Sequence, residues 1–208
     1  MDATRYLSAR FRHRAPTPRR SRGFSMLEVL ISLLITVFGL LGLVGMQAIA
    51  HQAELESYQR AQALILMNDI VERLNTNRGS GACFVITTTT AGTPYLGTTG
   101  ANHAGTPNCT SGYTNTQTKA LADAGMLEWD QMLKGAAEIS SSNAQVGAMV
   151  GARGCVSFNA TTSIYTVAVA WQGTTKTFTP VVNCANGLYG DETRRRVVWT
   201  TVRIATLS

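Results

Sequence analysis

Histidine is scarce in this chain: its three copies, His13, His51 and His103, stand far apart in 208 residues. No Gly-rich phosphate loop and no metal-ligand spacing accompanies them, and none of the four cysteines forms a C-x-x-C pair. Those absences argue against phosphoryl transfer, a zinc knuckle and a dithiol redox site. His103, alone in a Thr/Gly-rich loop, reads as solvated, and Asp123, Glu128 and Asp130 read as a solvated helix face. The expectation is therefore no catalytic residue, no metal and no cofactor. Charge is missing in one further place: between Glu28 and Glu54 there is no Asp, Glu, Lys or Arg. Proline is missing from Pro18 to Pro94, and glycine from Met46 to Arg78, so nothing in that second stretch breaks a helix.

The charge that is present is unevenly placed. Residues 1–23 hold seven arginines (5, 10, 12, 14, 19, 20 and 22) against Asp2, and this accounts for the whole net charge of +6. The remaining residues hold eleven basic and eleven acidic side chains, which cancel. A basic arm for nucleic acid would put that excess on a folded face. Here it precedes an apolar run, the arrangement that keeps arginine cytoplasmic and sends the C-terminal part across a membrane. No nucleic-acid partner is expected; a membrane is. Val29 to Met46 is uncharged, with only Ser32 and Thr36 as hydroxyls, and the stretch 24–50 is long enough to span a bilayer. Gly39, Gly42 and Gly45 recur within it as a surface for close helix packing.

Beyond the span the apolar spacing becomes helical. Leu64, Met67, Ile70, Val71 and Leu74 form a stripe that predicts a core-facing continuation, ended by Gly79-Ser80-Gly81. A helix from Phe24 to Arg78 would be about 80 Å long at 1.5 Å per residue. Residues 87–118 read as a loop with little core. Lys119 to Ile139 predicts one or two short helices interrupted at Gly125 and Gly135. Ser163 to Trp171 alternates as a strand, Thr177 to Val182 is expected to pair back with it, and Arg196 to Ile204 reads as a further strand. Helix, loop, short helix and antiparallel sheet make an α+β fold. Cys83, Cys109, Cys155 and Cys184 all lie beyond the span, where an oxidising periplasm favours two disulfides. Three connectivities are open; the simplest joins Cys83 to Cys109 and Cys155 to Cys184.

Glu28 is the one carboxylate at the edge of the apolar run. Placed at full depth it would cost roughly 2.5–3.5 kcal/mol, so it is kept for a purpose. It stands one helical turn after Phe24, and Gly23-Phe24-Ser25-Met26-Leu27-Glu28 followed by apolar residues resembles the class III signal of type IV prepilins. The order of elements resembles a type IV pilin. Ala61-Gln62-Ala63-Leu64 with Met67-Asn68-Asp69-Ile70-Val71-Glu72-Arg73-Leu74-Asn75, and the strand ending in Trp171-Gln172, are similar to PilV-type minor pilins. Two departures bear on the subunit class. Gly45 stands where major pilins usually carry a helix-kinking proline, and the cysteines do not form one clear pair around a C-terminal loop. Both suit a minor subunit.

The resemblance implies a division into a cleaved basic leader (1–23), a membrane and filament-core half of the first helix (24–50) and a periplasmic α+β head (51–208). It implies cleavage between Gly23 and Phe24 by a prepilin peptidase, N-methylation of Phe24, and a subunit-assembly role for Glu28. The implied partners are that peptidase, other minor and major pilins and the inner-membrane assembly platform. The implied location is the bacterial inner membrane, single-pass with a cytoplasmic N-terminus, then the pilus at the cell surface. A minor pseudopilin of a type II secretion system would have the same leader, the same anchor and the same α+β head. A general signal peptidase cutting after Ala48-Ile49-Ala50 would instead release a soluble protein at His51, but the apolar region far exceeds the usual 7–15 residues. Arg19-Arg20 lacks the apolar follow-on of a twin-arginine signal. Asn108-Cys109-Thr110 and Asn159-Ala160-Thr161 match a glycosylation pattern that chance supplies often, and Arg194-Arg195-Arg196 reads as a solvated strand edge.

Overall fold

The fold, seen in a computed structural model, is described for residues 23–110, 115–136, 140–141, 147 and 149–204. The leader arginines and Ile139 lie outside those residues. Helix α1 (Met26–Thr76) opens the chain and helix α2 (Thr116–Leu133) follows the first long loop. The sheet is four-stranded, antiparallel, and ordered β1 (Leu96–Gly97), β2 (Arg153–Asn159), β3 (Ile164–Gln172), β4 (Arg195–Val202). The architecture is α+β with a long N-terminal helix and a C-terminal antiparallel sheet. By its internal contacts the chain divides into two units, Met1–Gln47 and Ala48–Ser208.

The second unit contains the core. From α1 it takes Ala63, Met67, Ile70 and Leu74, spaced four, three and four residues apart on one helical face. Leu64, expected in that stripe, faces outward, and Ala63 takes the inward position. Val156, Val167, Val169, Trp171 and Val198 complete this side from the sheet. From α2 come Ala122, Met126, Trp129 and Leu133. The indole Nε1 of Trp129 donates to the Leu66 carbonyl at 2.9 Å, so one side chain both fills the core and ties α2 to α1. Gly154 of β2 lies under that indole. A Cβ there would come within 2.3 Å of the ring and 2.6 Å of Leu133, so only glycine permits the approach.

The far face of the sheet has its own cluster. Tyr95, Cys155, Ala168, Ala170, Cys184, Ala185 and Tyr189 are buried together. The disulfides join Cys83 to Cys109 and Cys155 to Cys184. The first fastens the turn after α1 to the loop before α2. The second fastens β2 to the long loop between β3 and β4.

Several expectations need correction. Helix α2 is continuous through Gly125; it ends ahead of Gly135, whose φ of 94° no other residue adopts easily. Asn115 caps its start, accepting from the Gln117 and Thr118 amides. The 87–118 region is not coreless: Tyr95 and Leu96 are fully buried and β1 pairs with β2. Thr177 to Val182 does not pair back as a strand. Pro180 has no amide to give, Phe178 and Val181 are exposed, and one backbone bond, Thr177 to Thr193, is made. The strands that flank β3 are β2, which pattern alone did not reveal, and β4.

Candidate assembly site

Gly23 and Phe24 carry no regular structure, and the chain is helical from Met26. Ser25 starts the helix: its hydroxyl accepts from the Leu27 amide at 3.2 Å and its carbonyl from the Glu28 and Val29 amides. Glu28 therefore lies in the first turn, where the unsatisfied amides carry partial positive charge and favour a carboxylate. Its side chain is exposed, as are Phe24, Met26, Leu27 and every residue through Leu55. None of the strongly apolar window is buried within the chain, although that window is long and apolar enough to cross a membrane.

Polar groups inside this stretch are satisfied locally. Ser32 donates to the Val29 carbonyl and Thr36 to the Ser32 carbonyl, both at 2.8 Å, so neither hydroxyl needs water. A Cβ at Gly39, Gly42 or Gly45 would meet no atom within 4 Å, so these glycines leave an open backbone surface. The segment thus offers three things outward: apolar side chains, a smooth glycine surface and one carboxylate. Each suits contact with lipid or with another helix.

The head holds its charges differently. Asp130, expected on a solvated face, is buried: its carboxylate accepts from the Gly97 amide at 2.7 Å, pairs with Lys134 and meets His103 Nε2 at 3.0 Å. The Gly105 amide donates to His103 Nδ1, which leaves Nε2 as the protonated nitrogen facing Asp130. Asp123 accepts from the Cys109 amide, and Glu128 takes Arg73 Nη1 at 2.8 Å while Arg73 Nε holds Asp69. All three acids and His103 fasten α2 to its surroundings. Arg195, expected at a solvated edge, is buried and directs its guanidinium at Glu192 and at the Val182 and Cys184 carbonyls.

A further constellation had no sequence signal. Glu56 Oε1 accepts from Thr174 Oγ1 at 2.8 Å, Thr175 Oγ1 at 2.8 Å and the Thr175 amide at 3.1 Å, with Arg196 Nη2 at 3.4 Å. Burial pushes this carboxyl up, but the Thr175 and Thr174 hydrogen bonds and the Arg196 charge outweigh it and bring the pKa down to about 2. Glu56 and Arg196 are 140 residues apart in sequence, so no local pattern could pair them. Among the described residues no group of three or more His, Cys, Asp or Glu side chains is placed to hold a metal.

Comparison with known families adds one match: residues 18–44 fit the model of the prokaryotic N-terminal methylation motif. No curated protein and no solved structure matches the chain. The matched stretch contains Gly23, Phe24 and Glu28 and runs into the unburied apolar helix. A motif of this kind, on an apolar helical window with no buried residue, supports a type IV pilin or pseudopilin that a prepilin peptidase processes.

Proposed function

We propose that this chain is a minor pilin that enters type IV pili or primes their assembly, in the manner of PilV-type subunits. The observation that carries the reading is Glu28, an exposed carboxylate in the first turn of an apolar helix with no buried residue before Ala63. Cleavage between Gly23 and Phe24 would remove the leader, 1–23, and leave an amine one turn from that carboxylate; methylation of the amine keeps its charge. Residues 24–50 then lie in the inner membrane and 51–208 in the periplasm. In lipid an unpaired Glu28 is unfavourable. A neighbouring subunit's Phe24 amine removes that penalty, and the ion pair sets the axial register of one helix on the next. The assembly platform and the other pilins are the partners this step requires.

Intact mass and N-terminal sequence of the protein taken from bacterial inner membranes test the pathway. An N-methylated Phe24 start is the expected result. A start at His51 would remove both Glu28 and the anchor, and the reading with them. Glu28→Ala tests the assembly step: processing at Gly23 continues while incorporation into sheared fibres falls by about a hundredfold, the ratio that about 3 kcal/mol implies. Normal incorporation would refute the register role. The pseudopilin of a type II secretion system is the second reading, since the methylation motif serves both classes. The segment 61–75 favours the pilus. Loss of twitching on gene deletion, with protein secretion intact, separates the two.

A further inference from the structure

The register of the sheet fixes which way each peptide group of β4 points. Val156 uses its carbonyl for the Ile86 and Thr87 amides on the side away from β3, so its neighbours Cys155 and Ser157 bond β3 through Ala168 and Thr166. Residues 165, 167, 169 and 171 therefore turn to β4, where they meet Val202, Thr200, Val198 and Arg196. The bond from the Gly173 amide to the Arg194 carbonyl continues that alternation. What remains is the outer edge: the amides and carbonyls of Val197, Trp199 and Thr201 have no partner among the described residues. Trp199 and Thr201 are exposed.

Most proteins blunt such an edge with proline, a bulge or an inward-pointing lysine. Arg195–Val202 has no proline and no lysine, and its pairing with β3 runs without a bulge from end to end. Alongside it runs a groove of about 390 Å³ lined by Glu56, Arg60, Trp171, Arg196, Val197 and Val198. Trp171 is buried, yet its Nε1 donor has no partner among the described residues. An unpartnered buried donor beside a row of unpaired peptide groups is a site short of hydrogen-bond partners.

The charges say what kind of strand completes it. Glu56 is already held by Arg196 and two threonines. Arg60, Arg194 and Arg203 have no carboxylate partner among the described residues; Arg203 donates to the Thr162 carbonyl at 3.0 Å, which leaves its charge uncompensated, and the last two stand just beyond the two ends of β4. A second copy pairing antiparallel through the same edge would bring the Arg194–Arg196 end of one strand against Arg203 of the other, which like charge disfavours. We infer that the outer edge of β4 is a strand-addition site for an extended segment of a partner protein, β-branched in its middle and acidic at both ends. The peptide groups of Val197, Trp199 and Thr201 supply the ladder; Arg194 and Arg203 select the acidic flanks. This inference is independent of whether the chain serves a pilus or a secretion system.

Hydrogen exchange on the full-length protein in detergent micelles tests it, read over a fragment spanning residues 195–203. The probe is a synthetic peptide of alternating threonine and valine with two aspartates at each end. Its controls are the same peptide with lysines at the ends and an acidic one whose alternate amides are N-methylated. The edge amides exchange fast in the free protein. At about ten times its Kd the acidic peptide slows them by about tenfold, and neither control does. Arg194→Glu with Arg203→Glu transfers the protection to the lysine peptide. Thr201→Pro removes only an outward amide and abolishes it. Equal protection by acidic and lysine peptides, or none by either, overturns the inference. Protection that grows with protein concentration in the absence of peptide assigns the edge to a second copy and overturns it too.

Discussion

The apolar segment 24–50 and the head that follows it satisfy opposite demands. From Phe24 to Leu55 every residue is exposed, and its hydroxyls bond only the helix that carries them. In the head, Trp129, Phe84, Ile70 and Leu74 are fully buried, both disulfides are closed, and acids as far apart as Glu56 and Asp130 find partners. Exposure of that much aliphatic surface is tolerable only where lipid or another protein covers it. The segment therefore takes its stability from outside the chain, and the head takes its own from within. A change in one should not register in the other's assay, and that separation can be attacked.

Trp129→Ala is the strongest blow to the head, about 4 kcal/mol, because it deletes a buried ring together with its bond to Leu66. Urea unfolding of the full chain in micelles, followed by near-ultraviolet circular dichroism, measures it. Leu34→Ala in the bare segment should shift the same transition by less than about 0.5 kcal/mol. A large shift there would dissolve the distinction. Replacing both Cys155 and Cys184 with serine releases a loop closed over 29 residues and should cost about 3.5 kcal/mol, seen as a lower urea midpoint. Gly154→Ala comes next at about 2 kcal/mol, since the added methyl drives into the Trp129 ring. Calorimetry on that variant should show a lower Tm with the helical signal of the apolar segment unchanged.

What could be read in the sequence followed the same divide. The span, its flanking arginines and the continuous helix through Asn68 to Leu74 are written in local composition and 3.6-residue spacing, and the structure carries the helix to Thr76. Strand β3 was legible because Tyr165, Val167, Val169 and Trp171 alternate over its length. Strand β2 was not. Gly154 interrupts it, and Cys155 and Val156 are both buried, one on each face, so no alternation survives. The acids misled for another reason. Asp130 looked solvated because its partners, the Gly97 amide and His103, come from a loop about thirty residues earlier that folds back on α2. Local periodicity was visible in the sequence; polar pairings between distant segments were not.

The smallest effect expected is also the most local, and it lies just past the apolar segment. Glu56 ties α1 to the loop at Thr174 and Thr175, and its folded pKa of about 2 is below the ordinary 4.5. Unfolded chains bind the proton first as pH falls, so the contribution of this carboxylate is complete above about pH 4.5 and fades towards pH 2. Solvent reaches Glu56, which keeps the effect modest. Between those limits the protection factor of the Thr175 amide, referred to its intrinsic exchange rate at each pH, should fall progressively while the Ile70 and Leu74 amides, deep in the core helix, stay protected. Glu56→Gln should flatten that dependence, because the amide oxygen still accepts from Thr174 but no longer titrates. If the Thr175 amide instead keeps one protection factor across the window in the unaltered protein, the loop is held by Arg196 and Thr193 without Glu56.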